Sequence, residues 1–306
     1  AECMGAEASI AFLEQRPDAI AVAMKALAAC RSLPNIPPAL ELRILNGLAV
    51  AQCRYGEFEE AIKTFEKAIE LADPVVDMRR LGKLLDCAGI ACRELGRMEQ
   101  AVNYCSRAVA LFETLKDSRS LAVAENDLGW ALLGCGDLAG ARQHLHRSLQ
   151  LHQQGNLTTD RSAVLSSLCE LCVAEGDLEQ ATTYADAALD FGERQSEAWS
   201  IADARMWKGR IAMAHADDAE VDTQFRLAVA ALENSGMTMR LVQCHAEYAE
   251  ILKRRGNLPV ALEHMKAAVR ITTSGGIPRG ATSVHEPPLL DVGAAVAEAG
   301  PRIDPE

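Results

Sequence analysis

The chain has 306 residues, 49% of them hydrophobic but only 4% aromatic, and a formal net charge of −12 at pH 7. A core rich in small and aliphatic residues and poor in aromatics belongs to packed helices, whereas sheets favour β-branched and aromatic side chains. The negative balance excludes a phosphate-backbone grip by this segment, which would need clustered Lys and Arg to displace counterions.

No apolar run approaches the roughly 20 residues of a bilayer span. The opening AECMGAEASIAFLEQ places no basic stretch ahead of an apolar one, as a secretory signal would. A cytoplasmic location is therefore expected. The sequence starts at Ala1 rather than at a methionine, which points to a longer parent with a domain upstream. The ten cysteines fall inside helical runs of a large chain and read as reduced core residues rather than a disulfide framework.

Along the chain a forty-residue beat emerges. Gly56, Gly96, Gly136, Gly176 and Gly256 keep it, with Ala216 in the one remaining slot. A second row holds Ala61, Ala101, Ala141, Ala181, Val221 and Ala261, and a third holds Ala68, Ala108, Ser148, Ala188, Ala228 and Ala268. Both rows continue upstream to Ala21 and Ala28, so the beat predicts seven units, near 1–33, 38–73, 76–115, 118–154, 160–194, 197–235 and 238–272. In the second unit Leu45, Leu48 and Gln52 precede Gly56, and Phe58, Ala61, Ile62, Phe65 and Ala68 follow at spacings of three and four. That is the pattern of two amphipathic helices joined by a tight turn, each predicted at about 16–20 residues.

The glycine ends the first helix in a left-handed conformation. Asp137, Asp177, Asp217 and Asn257, one residue later, are placed to cap the second helix, while Glu57 and Arg97 are poor caps. The alanine rows allow helices to approach closely. After about residue 272 the composition gains Gly and Pro and loses the beat. Residues 273–306 read as a flexible tail, with a short helix over 289–299 covering the apolar edge of the last unit as the alternative.

The combination of Leu128-Gly129, Gly136, Leu138 and Ala141, and of Gly89, Gly96, Ala101 and Ala108, resembles the tetratricopeptide repeat. The longer period is similar to that of kinesin light chain and of the receptor portions of bacterial transcription regulators. Over residues 1–272 the resemblance implies an all-α, right-handed α-solenoid of about seven antiparallel helix pairs, with the first helices lining a concave groove. One unit departs: Ala216, Lys208, Asp218 and Val221 stand where Gly, Leu, Leu and Ala are usual, which marks a soft joint.

In the implied groove one row reads Val50, Ile90, Trp130, Glu170, Arg210 and Glu250, and another Asn46, Asp86, Asn126, Ser166, Met206 and Ala246. Arg43, Lys83, Asp127 and Trp207 adjoin them. The candidates for partner contact are Arg43, Asn46, Lys83, Asp86, Ile90, Asn126, Asp127, Trp130, Ser166, Glu170, Met206, Trp207 and Arg210. Asn suits an extended backbone, and Trp and Met accept apolar side chains. The competing reading, that Trp130 and Trp207 pack between neighbouring units, stays open. Glu170 and Glu250, with no Asn in their row, speak against the acidic chaperone tails that some such repeats clamp.

Cys169-x-x-Cys172 lies in core-facing rows without a second pair at zinc spacing, so no metal site is expected. Neither HExxH, a P-loop nor G-x-S-x-G occurs. The expectation is a non-catalytic module without a cofactor that binds a peptide or protein, touches neither nucleic acid nor membrane, and forms homo-oligomers. The resemblance implies the effector-sensing or oligomerisation part of a bacterial regulator with an upstream DNA-binding domain. A constitutive scaffold and an accessory domain of a larger enzyme are the alternatives.

Overall fold

A computed structural model describes residues 18–32, 35, 37–155, 157–158, 160–233 and 235–274. The expected first helix of the first unit and the tail with its 289–299 helix lie outside these residues. Among the described residues there are thirteen helices and no strand: α1 (Ala19–Arg31), α2 (Pro38–Arg54), α3 (Phe58–Leu71), α4 (Met78–Glu94), α5 (Met98–Thr114), α6 (Ser118–Gly134), α7 (Leu138–Gln154), α8 (Arg161–Ala174), α9 (Leu178–Gln195), α10 (Ala198–Ala214), α11 (Asp218–Glu233), α12 (Thr238–Arg254) and α13 (Leu258–Ser274). The fold is an all-α solenoid of helix pairs. It divides into two compact units, 1–135 and 136–306.

The turn at each beat follows from one backbone angle. Gly56, Gly96, Gly136, Gly176 and Gly256 have φ between 70° and 80°, and after Gly56, Gly96, Gly176 and Gly256 the following residue's N–H closes a bond to a carbonyl five residues back, as in Glu57 N to Gln52 O at 2.8 Å. This is a helix stop that glycine makes without a Cβ clash. Ala216 holds the same left-handed region at φ 54°. The joint keeps its geometry there despite its methyl group, at a cost of about 1–2 kcal/mol. Three of the expected caps form: Asp137 accepts from Gly140 N at 2.9 Å, Asp177 from Gln180 N at 3.1 Å and Asp217 from Glu220 N at 3.1 Å. The side chains of Glu57 and Arg97 make no such bond.

In unit 1 each helix from α1 to α6 packs on the next, and the first helices also touch one another, α2 with α4 and α4 with α6. Unit 2 repeats this through α7 to α13, with α8 against α10. The small residues sit at the crossings. Ala101 on α5 meets Ala91 and Cys92 of α4 and Ala131 of α6, all at most 1% exposed. A Cβ on Gly209 would fall 2.7 Å from the Phe225 ring. Bonds between neighbouring pairs recur 37 or 38 residues apart, a little short of the beat. Examples are Tyr104 to Glu66, Ser162 to Ser200 and Arg210 to Glu247. Side chains thus reach about one helical turn back along the adjoining pair.

The beat slips at the first connection. Ala21 and Ala28, expected in the buried rows, are exposed, and α1 buries Ala19, Ala23, Ala26 and Cys30 instead. Ala19 and Ala26 precede Ala61 and Ala68 by 42 residues rather than 40. The extra residues are absorbed in the connection ahead of α2.

Replacing Ala216 by Gly removes the left-handed penalty. We predict a gain of about 1 kcal/mol, read in thermal unfolding as a rise of roughly 2 °C. An unchanged or lower melting temperature contradicts the assignment.

Candidate functional site

A first helix has neighbours on several sides, so little of it reaches solvent. What remains is a narrow strip. In unit 1 the strip holds Val50, Ile90 and Trp130, and in unit 2 Glu170, Arg210 and Glu250, all half-buried. Arg43 and Lys83 stand exposed beside it in unit 1, Asn46 and Asp86 are half-buried, and Asn126 and Asp127 are each 8% exposed.

Unit 1 gathers charge at one place on this strip. The Arg93 guanidinium lies 4.6 Å above the Trp130 ring centroid, 2.9 Å from Glu94 and 3.9 Å from Asp127. Asn126 donates through Nδ2 to Asp127 Oδ1 at 3.4 Å. Two buried acceptors beside it, Asp86 Oδ1 and Asn126 Oδ1, have no donor. Burial pushes the Asp86 carboxyl well above its ordinary range, the Asp127 carboxylate adds to the push, and Arg93 only partly opposes it. A buried acceptor without a partner costs about 1–3 kcal/mol, so a ligand bringing N–H groups here would recover that loss.

Unit 2 is different. Arg210 donates from Nε and Nη2 to the two oxygens of Glu247 at 2.6 and 2.7 Å, joining α10 to α12. The side chains are 16% and 7% exposed. This is a fork-to-fork pair, the strongest geometry open to Arg. Arg210 also lies 4.2 Å over the Trp207 ring. Trp207 itself is buried among Cys169, Cys172, Val173, Ala181, Ala185 and Ile211.

Trp207 therefore joins neighbouring pairs instead of facing a ligand, which corrects its placement among the groove candidates. Ser166 is 7% exposed, and Met206 packs against the cluster of Phe225 and Tyr248. The strip in unit 2 has its central guanidinium already engaged. Sequence reasoning passed over Arg93, Glu94 and Glu247. Glu247 lies in the forty-residue row of Asp127 and Trp207, which was the available signal.

A second cluster lies at α12 and α13. His245 and His264 approach through Nδ1 atoms at 2.8 Å, so at most one proton lies between them. Burial, then His264 and Arg270, push His245 down to about 4, and burial pushes His264 down as well. Cys169 and Cys172 are buried, and burial raises both thiols, that of Cys172 to about 11. Among the described residues no three His, Cys, Asp or Glu are grouped to hold a metal ion, and no helix is long and apolar enough to cross a membrane.

Comparison with known proteins places this architecture. Tetratricopeptide repeat profiles match residues 44–77 and 81–154. The chain carries tetratricopeptide repeats. A search of curated proteins by sequence finds no significant match. Among solved structures it is similar to the apo form of RapI, with a TM-score of 0.72 at 11% identity, covering 90% of this chain and 99% of that one. It is similar to aspartyl phosphate phosphatase F from Bacillus subtilis, with 0.66 at 12%, covering 87% and 68%. It is also similar to the Rap conjugation gene regulator of the plasmid pLS20 in complex with the Phr* peptide, with 0.65 at 15%, covering 91% and 75%. At such identities the likeness is one of fold.

The Asp86 environment makes stability depend on pH with a definite sign. The unfolded carboxyl ionises near its ordinary value of 3.8, while the folded one keeps its proton to higher pH. Stability is therefore lost as pH rises from about 4 through the folded value. Asp86→Asn, fixed as neutral, escapes the loss. We predict that it melts above the parent at pH 7.5 and that the gap closes towards pH 4. A gap that persists at pH 4 or is reversed at pH 7.5 contradicts the assignment.

Proposed function

We propose that the strip of unit 1 formed by Asp86, Ile90, Asn126 and Trp130 takes an extended peptide or partner segment, and that the protein is a non-catalytic binding module. The observation that carries this reading is the pair of buried acceptors without donors, Asp86 Oδ1 and Asn126 Oδ1, beside the half-buried Trp130 and Ile90. An extended backbone presents N–H groups to acceptors and side chains to apolar surface in alternation. Lys83 on α4, and Arg43 and Asn46 on the adjoining first helix α2, are outer contacts. Asp127, held by Asn126 and Arg93, orients the site.

The structural neighbours include a protein named as a phosphatase and a regulator bound to a peptide. Fold similarity alone does not choose between them, and the open acceptors favour the peptide. On this reading the segment is the effector-sensing or oligomerising part of a bacterial regulator. A DNA-binding domain lies upstream of Ala1, and the site of action is the cytoplasm. No nucleic acid is held by this segment itself.

The test uses a positional library of hexapeptides as probe. The parent retains a subset of sequences, and Asn126→Ala with Trp130→Ala lowers their affinity at least about tenfold while far-UV helicity is kept. Unchanged affinity in the double variant, or no retained peptide at all, contradicts the proposal.

A further inference from the structure

The last described helix, α13, leaves one face uncovered. Leu258, Leu262, Met265 and Val269, at spacings of four, three and four, are 61%, 54%, 48% and 58% exposed. At the Leu258 position the earlier beats hold the half-buried Phe58, Leu138 and Leu178, and at the Leu262, Met265 and Val269 positions they include buried side chains. Ile62 is 5% exposed, Phe65 and Phe225 are 0%, and Val109 and Val229 are 7% and 8%. The cover comes from the next first helix along the chain: Ile62 packs against Ala91 and Cys92 of α4, and Phe225 and Val229 against the α12 side chains Cys244 and Tyr248. Among the described residues α13 has no such successor.

The sequence beyond α13 contains one. Leu84-Leu85-Asp86-Cys87-Ala88-Gly89-Ile90-Ala91 on α4 is matched by Leu289-Leu290-Asp291-Val292-Gly293-Ala294-Ala295-Val296, with paired Leu, Asp and two small residues at the same spacing. Pro287 and Pro288 precede this stretch, and Gly300 and Pro301 follow it. These are the start and stop signals of a helix.

We propose that residues 287–299 of the same chain cover the exposed stripe of α13, in the place that a next first helix holds in the other pairs. The stretch 275–286 is 12 residues long and reaches up to about 40 Å when extended. A 17-residue helix such as α13 is only about 25 Å long. Charge agrees as well. Beside the stripe the exposed Lys266 and Arg270 outnumber the exposed Glu263, and the charged residues of 287–299 are both acidic, Asp291 and Glu298.

A second copy of the chain is the weaker occupant. Four side chains fall far short of the roughly 1,200 Å² that a stable interface buries, whereas a tethered segment has a high effective concentration.

The test places a benzophenone amino acid at position 262 of the full chain and irradiates it. We expect an adduct within one chain, mapped by mass spectrometry to residues 287–299. An adduct to a second copy, to any other part of the chain, or none, overturns the proposal. In a second variant, Val292→Asp with Val296→Asp in the full chain, amide exchange across α13 is expected to rise at least about tenfold while that of α4 is unchanged. Unchanged exchange in α13 overturns it too. Neither readout depends on peptide binding in unit 1.

Discussion

Helix meets helix in this protein across side chains no larger than a methyl group, and the rest of the architecture depends on that closeness. Where Ala101 faces Ala91 and Ala131, backbones approach until there is no room for a branched residue. At Gly89 even a methyl would fall 2.5 Å from Cys105 Sγ. Close approach maximises dispersion contact over the length of each helix. It also fixes the offset between neighbouring pairs, so that polar groups meet at separations of 37 or 38 residues. The charged clusters on the first helices are consequences of that register.

Two such clusters differ in what they leave free. In unit 2 Arg210 and Glu247 satisfy each other, and loss of either would strand a buried charge at a cost of about 3–5 kcal/mol. In unit 1 Arg93 is shared between Glu94 and Asp127, and the acceptors of Asp86 and Asn126 stay open. The same solenoid thus builds one strip that is complete in itself and one that is not. The proposed binding function rests on the incomplete strip.

Much of the fold was legible because glycine and alanine serve purposes no other residue serves as well. A left-handed turn selects Gly, and a close crossing selects Ala, so both leave a beat in the sequence. The Asp caps were legible for the same reason. The slip in α1 was not: AIAVAMKALAACR offers an alanine in almost any register, so the pattern could not show which of them are buried. The site was only partly legible. The row containing Asp86 and Asn126 was found through the beat, but Arg93 lies outside that row and meets Trp130 through the one-turn offset between pairs, which a period of forty does not reveal. Trp207 shares a row with Asp127, yet the larger side chain turns inward among Cys169 and Ile211.

The central claim is that methyl-sized contacts set the spacing of the helices. Thermal unfolding of Ala101→Leu against Asn103→Leu tests it most directly, since Ala101 is 1% exposed while Asn103, two residues on in the same helix, is exposed. The account predicts a loss of about 1–3 kcal/mol for the buried substitution and almost none for the exposed one. Equal melting temperatures for the two variants would contradict it.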